Sequence, residues 1–411
     1  MIKKQFGIGM LALAISMIGL VLIPFANAQE ESNYNITVEQ ALQSANANLI
    51  NFIVADAPGF ENWTEATIDP KPLELYDING QKLFYRFSVY DEKKVIGTID
   101  IRANKTLGPA IYDIVFDPAP YELAEAAKKS KEIAKNKYPT GEIESTTMVV
   151  YSYPSIGAMT VIKDKNGIEH RIFVDGYTLD EVQDRPATET EPGVWSMYEI
   201  ILKNGKENNL KDWEKSANLT KSIEAAVANK GVNINEEVTG DNLKKLSDEL
   251  VLDSFTGKIL NVHGVGQEES VYCVPACILM LCKYYNKPTP IPTQYQIYMG
   301  DGLWSWGPGQ ANTSGLSPND IVKWASHRWD KTGTSTTTFL DTDVVTEIEN
   351  NRPFFTLNTD HHSRICRGYI CQDGDYYLRI NDPKPVGSTY GTPNVLESTC
   401  DSSEIRRIYI R

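Results

Sequence analysis

The chain has 411 residues, room for two or three domains at about 150 residues each. Its 41% hydrophobic and 23% charged residues are ordinary globular composition, which excludes a disordered, collagen-like or multi-span membrane chain. The 54 acidic residues outnumber the 40 basic ones for a formal net charge of −14, so the chain repels phosphate backbones and nucleic acid is not an expected partner.

The first elements are an address. Lys3-Lys4, an apolar run from Phe6 to Phe25 and Ala26-Asn27-Ala28 are the basic, apolar and small-residue parts of a signal peptide over residues 1–28. The mature chain is therefore expected to be secreted or held at the cell surface, and to meet a membrane only if this segment is not cleaved. Asn-x-Ser/Thr triplets at Asn35, Asn62, Asn104, Asn218 and Asn312 permit glycosylation outside the cell.

Residues 29–195 read as an N-terminal α+β domain. Thr37 can cap a helix with Gln40 at the capping-box position, and Val38, Ala41, Leu42, Ala45, Leu49 and Ile53 recur at helical spacing. Strand-like runs at 83–89 and 95–101 flank a turn at 91–94. A solvated helix over 121–138 is followed by strands at 147–153, 158–163 and 170–174, with a turn at Asn166-Gly167. A helix followed by an antiparallel meander is an α+β plan. The one histidine here, His170, falls on a strand and has no catalytic company. Residues 196–254 form a charged linker with helical pattern at 210–217, 221–230 and 241–250.

The chemistry lies in residues 255–411, which hold all six cysteines: Cys273, Cys277, Cys282, Cys366, Cys371 and Cys400. After Pro275 the residues are apolar as far as Leu281, the mark of a buried helix, and proline fits its first turn. Cys273 then sits at the helix N-terminus, where unpaired N–H groups and the helix dipole favour a thiolate. Gln267, six residues earlier, can place an amide donor beside the thiol. Cys277 and Cys282 lie inside the helix and read as packing. In an exported protein Cys366, Cys371 and Cys400 could supply one disulfide, with Cys277 or Cys282 as further candidates.

Downstream, His361-His362 opens a strand, Asp373-Gly374-Asp375 turns it, and the return strand ends in Asn381-Asp382-Pro383. The hairpin brings its two open ends together, so His362 is expected to neighbour Asn381 or Asp382. A carboxylate or amide there fixes the imidazole tautomer and aims the other ring nitrogen at a thiol. His361 and His362 point to opposite faces of a strand and the C-x3-C-x4-C spacing fits one helix, not zinc, so no metal or organic cofactor is expected.

QEESVYCVPACILML, EIENNRPFFTL, HSRICRGY and YYLRINDP, in this order, resemble the papain-like peptidases related to the bacteriocin-processing (double-glycine leader) peptidases. The resemblance covers about residues 258–390. It implies a papain-like cysteine peptidase domain with Cys273 as nucleophile, His362 as base, Asp382 as its orienting partner and Gln267 in the oxyanion hole. His362 is preferred to His361 because it stands six residues before Gly368. The family usually has Gly after the nucleophile where this chain has Val274, and its apolar strand after the histidine is replaced by Ser363-Arg364-Ile365-Cys366-Arg367. The N-terminal region resembles, in plan only, the pro-regions of secreted papain-like peptidases, which implies a zymogen with intramolecular inhibition; composition alone predicts a processing cut between about Leu250 and His263.

The leading expectation is thus an exported cysteine peptidase acting on peptide or protein substrates. Two alternatives stand beside it. One is a binding or cell-surface adhesion module on a degenerate fold, favoured by Val274, by the polar histidine strand and by Trp304, Trp306, Trp324 and Trp329 as exposed aromatics, although a packed groove wall is the preferred reading of those tryptophans. The other is an acyl-transferring, transglutaminase-like enzyme using the same triad.

Overall fold

The computed structural model describes residues 34–188, 193–203, 205–229, 231, 234, 254–300, 315–359, 361–399 and 403–411. The signal segment, the expected helix at 241–250, Trp304, Trp306 and Cys400 lie outside the described residues. Among the described residues no helix is long and apolar enough to cross a membrane.

The N-terminal region opens with helix α1 (Val38–Val54), started by the expected Thr37–Gln40 capping box. Strands β1 (Thr67–Ile68), β2 (Leu73–Asp77), β3 (Lys82–Asp91), β4 (Lys94–Arg102) and β5 (Ile111–Phe116) follow. Next come helix α2 (Leu123–Lys137) and strands β6 (Glu142–Ser152), β7 (Ser155–Lys163), β8 (Glu169–Asp175) and β9 (Glu181–Val182). Helix α3 (Met197–Lys203) leads to α4 (Lys206–Asn229), one continuous helix where the sequence pattern pointed to two.

The C-terminal region begins with β10 (Thr256–Ile259), then helices α5 (Cys273–Tyr285), α6 (Gln294–Met299) and α7 (Pro318–Arg328). Strand β11 (Gly333–Thr336) and helix α8 (Asp341–Glu349) precede β12 (Phe354–Asn358), β13 (Ser363–Gln372), β14 (Asp375–Asp382), β15 (Thr392–Ser398) and β16 (Glu404–Ile410).

The two regions are not separate layers. Their strands join one 16-stranded sheet in the order β11-β16-β12-β13-β14-β15-β5-β4-β3-β2-β6-β7-β8-β9, with β1 beside β3 and β10 beside β13. The join is the antiparallel pair β15–β5, with Val395 opposite Val115, Leu396 opposite Ile114 and Glu397 opposite Asp113. The N-terminal α+β plan holds, but its sheet continues into the C-terminal one. Phe52, Phe60, Phe87, Ile99 and Ile114 share a core with Ile370 and Leu396 from across the join.

The second core surrounds α5, which is buried from Val274 to Cys282 and packs among Phe354, Phe355, Ile365 and Ile380. Trp324 and Trp329 belong to this core, at 1% and 2% exposure. Both are therefore packed, as preferred from the sequence, and not the exposed aromatics of the adhesion alternative: α7 turns its Trp324 face inward, and the Trp329 indole N–H donates to the Lys287 carbonyl at 3.1 Å. Cys277, Cys282, Cys366 and Cys371 carry free thiols.

Candidate active site

Helix α5 starts at Cys273 itself, with Pro275 in its first turn, so the half-buried thiol sits where backbone N–H groups have no intrahelical acceptor. Two ties hold the segment that leads into it. The Gln267 N–H donates to the Pro383 carbonyl at 2.9 Å, and the Gly387 N–H donates back to the Gln267 carbonyl at 2.8 Å. These bonds lash the approach to Cys273 onto the loop that follows Asp382. Gly266 makes that crossing possible, because a side chain there would run into the Ser388 carbonyl. Gln294, buried at the first turn of α6, clamps the same strap: its amide donates to the Gly266 carbonyl at 2.7 Å and its carbonyl oxygen accepts from the Glu268 N–H at 3.1 Å.

One turn along α5, the Cys277 thiol donates to the Ser363 carbonyl at 3.2 Å. Positions i and i+4 share a helix face, so this bond presses the Cys273 face against the start of β13. Burial pushes the Cys277 thiol well above its ordinary range and keeps it a neutral donor. The residue before Ser363 is His362. Its Nε2 lies 2.7 Å from Asp382 Oδ1, and the Cys273 thiol sits close enough to the same imidazole to help raise its pKa. Since Nε2 is given to Asp382, Nδ1 is the nitrogen left for the sulfur. Asp382 Oδ1 also accepts the Lys384 N–H at 2.8 Å, which sets the carboxylate's angle.

The imidazole is 3% exposed and its carboxylate partner 2%. Burial pulls the His362 pKa down. The Asp382 charge, aided by the hydrogen bonds of Asp382 and Cys273, outweighs that and holds it above the ordinary histidine value, against a smaller opposing effect of Lys384. The structure thus brings Cys273, His362 and Asp382 into one chain. Asn381 is elsewhere: its amide donates to the Val262 carbonyl at 2.8 Å and its oxygen accepts from the Asn394 N–H. His361 takes a left-handed backbone with φ 57° and makes no bond to Asp382.

Residues 259–398 match the sequence model of the Peptidase_C39 like family. These residues form a C39-like domain at the C-terminus. The match spans about a third of the chain. No curated protein matches the chain.

Gln267 is placed differently from a free donor. Its amide nitrogen donates to the Glu269 carbonyl at 3.0 Å and the Ser270 carbonyl at 3.2 Å, while its Oε1 is buried with no partner among the described residues. The amide therefore shapes the strap before Cys273. Val274, at the position where the C39-like domain usually carries Gly, is 1% exposed and packed in the core. Its side chain points away from solvent, which removes one motive for reading the fold as degenerate.

Sequence reasoning passed over three contributors. Gln294 and the Lys384 amide act through backbone bonds that no motif marks. Cys277 was legible only as apolar packing, though its i+4 spacing from Cys273 was the available signal. A fourth contributor is the N-terminal region: Tyr121, Tyr151, Ser152 and Ser155 face Gln267, Ser270 and Lys384 across a cleft of about 280 Å³.

Proposed function

We propose that this chain is an exported cysteine peptidase in which Cys273 is the nucleophile, His362 the base and Asp382 the residue that orients it. The observation that carries the reading is the Asp382 carboxylate bonded to a buried imidazole that has a thiol at a helix N-terminus for its neighbour. The thiol passes its proton to His362 Nδ1, and the helix N-terminus and the imidazolium both stabilise the resulting thiolate. The sulfur adds to a peptide carbonyl. Backbone N–H groups at the head of α5 take up the oxyanion, joined by the Gln267 amide as it exchanges the Ser270 carbonyl, the longer of its two bonds, for the substrate oxygen. His362 then returns its proton to the leaving amine, and water releases the acyl group by the same steps in reverse.

Peptides and unfolded proteins are the substrates of this reading, and the signal segment over residues 1–28 supports an exported location. The test is the Cys273→Ala variant of the secreted chain. It is expected to lose peptide hydrolysis and labelling by a thiol-directed inhibitor, with an unchanged melting temperature. Hydrolysis that persists in the variant would exclude Cys273 as nucleophile.

A further inference from the structure

An inhibitory pro-region leaves when its enzyme is activated, so its contacts must be separable. The contacts here are of another kind. The join is a strand pair at the centre of a continuous sheet, and polar side chains are buried across it. The Asn358 amide donates to the Tyr153 carbonyl at 3.1 Å, Asn51 and Gln372 exchange two amide bonds, and the Arg379 guanidinium donates to the Pro58 carbonyl.

The densest part lies behind Asp382. A cavity of about 30 Å³ separates Asp382 from Arg86, Asp113, Tyr121 and Tyr153 of the N-terminal region. There Arg86 grips Asp100 through two bonds of 2.7 and 2.6 Å. Across the join the Arg364 guanidinium donates to Glu397 Oε1 at 2.8 Å. Between these pairs stands Tyr153, its hydroxyl 2.9 Å from Asp113 Oδ2 and 2.9 Å from Glu397 Oε1.

A phenol has one hydrogen and cannot donate to two carboxylates at once. One of the two carboxyls must supply a proton of its own. The charge count agrees, since two guanidiniums, Arg86 and Arg364, face three carboxyls, Asp100, Asp113 and Glu397. Glu397 has Arg364 and Asp100 has Arg86, whereas Asp113 has no cation bonded to it and its Oδ1 has no partner among the described residues. A buried charge without a partner is costly, so the proton belongs on Asp113. Asp113 then donates to the Tyr153 oxygen, Tyr153 donates to Glu397, and the cluster is neutral.

We propose that the N-terminal region is a permanent working half of the peptidase, which walls the back of Asp382 and one side of the substrate cleft and is locked to the C39-like domain by the chain Asp113–Tyr153–Glu397–Arg364 with a proton on Asp113. The part concerning Asp382 rests on the triad reading above; the lock does not. Tyr153 and Asp113 are positioning residues. Burial, and then the neighbouring Asp100 charge, push the Asp113 carboxyl well above its ordinary range, partly opposed by Arg86 and the Tyr153 bond. The groups facing Asp113 are Asp100 and Arg86 from β4 and β3, Glu397 from β15, and the phenols of Tyr153 and Tyr121, with Arg364 of β13 beyond Glu397 and Asp382 across the cavity. A carboxyl that holds its proton more tightly when folded stabilises the fold below its ordinary pKa, and that contribution is lost as pH rises through the raised value.

The experiment uses the full chain with Cys273→Ala and a specific protease site inserted ahead of Asp253. After cleavage the two halves are expected to co-elute in gel filtration at neutral pH; halves that elute apart overturn the proposal. In the uncut chain the melting temperature is expected to fall towards alkaline pH, and Asp113→Asn, which donates to Tyr153 without titrating, should flatten that fall. An equal fall in parent and Asp113→Asn would overturn the proton assignment, as would a Tyr153→Phe variant with the parent's pH profile. With Cys273 restored, cleavage should leave peptide hydrolysis within twofold of the uncut chain, and a large gain on separation of the halves would restore the zymogen. If the uncut chain hydrolyses nothing, the triad reading fails while co-elution and melting still decide the lock.

Discussion

The N-terminal region and the C39-like domain share a sheet but bury polarity in opposite ways. In the C39-like site a single imidazole–carboxylate pair is held in place by backbone groups, the Lys384 N–H on one side and the Ser363 segment on the other. At the join with the N-terminal region, five ionisable side chains and a phenol are bonded side chain to side chain. Backbone bonds fix direction at little entropic cost, as a reacting pair requires. A network of long side chains is costly to assemble and costlier to break in part, which suits a joint meant to stay closed.

Asp382→Asn puts the strongest strain on this contrast. It keeps the shape of the pair but removes the charge that raises His362, so kcat/KM should drop by roughly 10²- to 10⁴-fold. The stability contributed by His362 is present below the ordinary histidine range and lost as pH rises through the raised value; the variant should lose that pH dependence together with the upper part of its activity profile. A full pH series of hydrolysis and melting reads both. An unchanged profile would mean that the pair is structural.

Leu396→Ala comes next. Leu396 is buried on the joining strand, and truncation should cost about 2–4 kcal/mol. If the two regions form one cooperative body, calorimetry will show a single transition moved down; two transitions, only one of them shifted, would divide the molecule at β15–β5. Gly59→Ala tests the rim of the same joint. Gly59 has φ +95° and an added methyl would meet the Arg379 guanidinium, so about 1–3 kcal/mol should be lost in denaturant unfolding. The smallest effect is expected for Thr37→Ala, which removes one helix cap and should cost about 1 kcal/mol without changing hydrolysis.

Much of the site was visible in the order of residues. A proline just inside an apolar helix placed Cys273 at its head, and the 373–375 turn brought the two ends of its hairpin together. The strand pattern by itself left Asn381 and Asp382 both open, with only the family resemblance pointing to Asp382, because adjacent residues on a strand point to opposite faces and a shift of one position exchanges them. The β13–β14 ladder is irregular between Cys366 and Gly368, and only the folded register puts Asp382 on the histidine side. The joining strands were hidden for a related reason. Ile111–Phe116 is buried at every residue, so it lacks the alternation that marks a half-exposed strand, and Thr392–Ser398 carries proline and asparagine at its second and third positions.

Local order therefore accounts for the helices, the hairpins and the choice of candidate site residues, because caps, turns and periodicity act over a few residues. The pairing of β5 with β15 joins segments almost three hundred residues apart, and its buried charges make sense only as a set. Such contacts depend on which surfaces the rest of the chain leaves to be covered, and that is settled only when the whole sheet has formed.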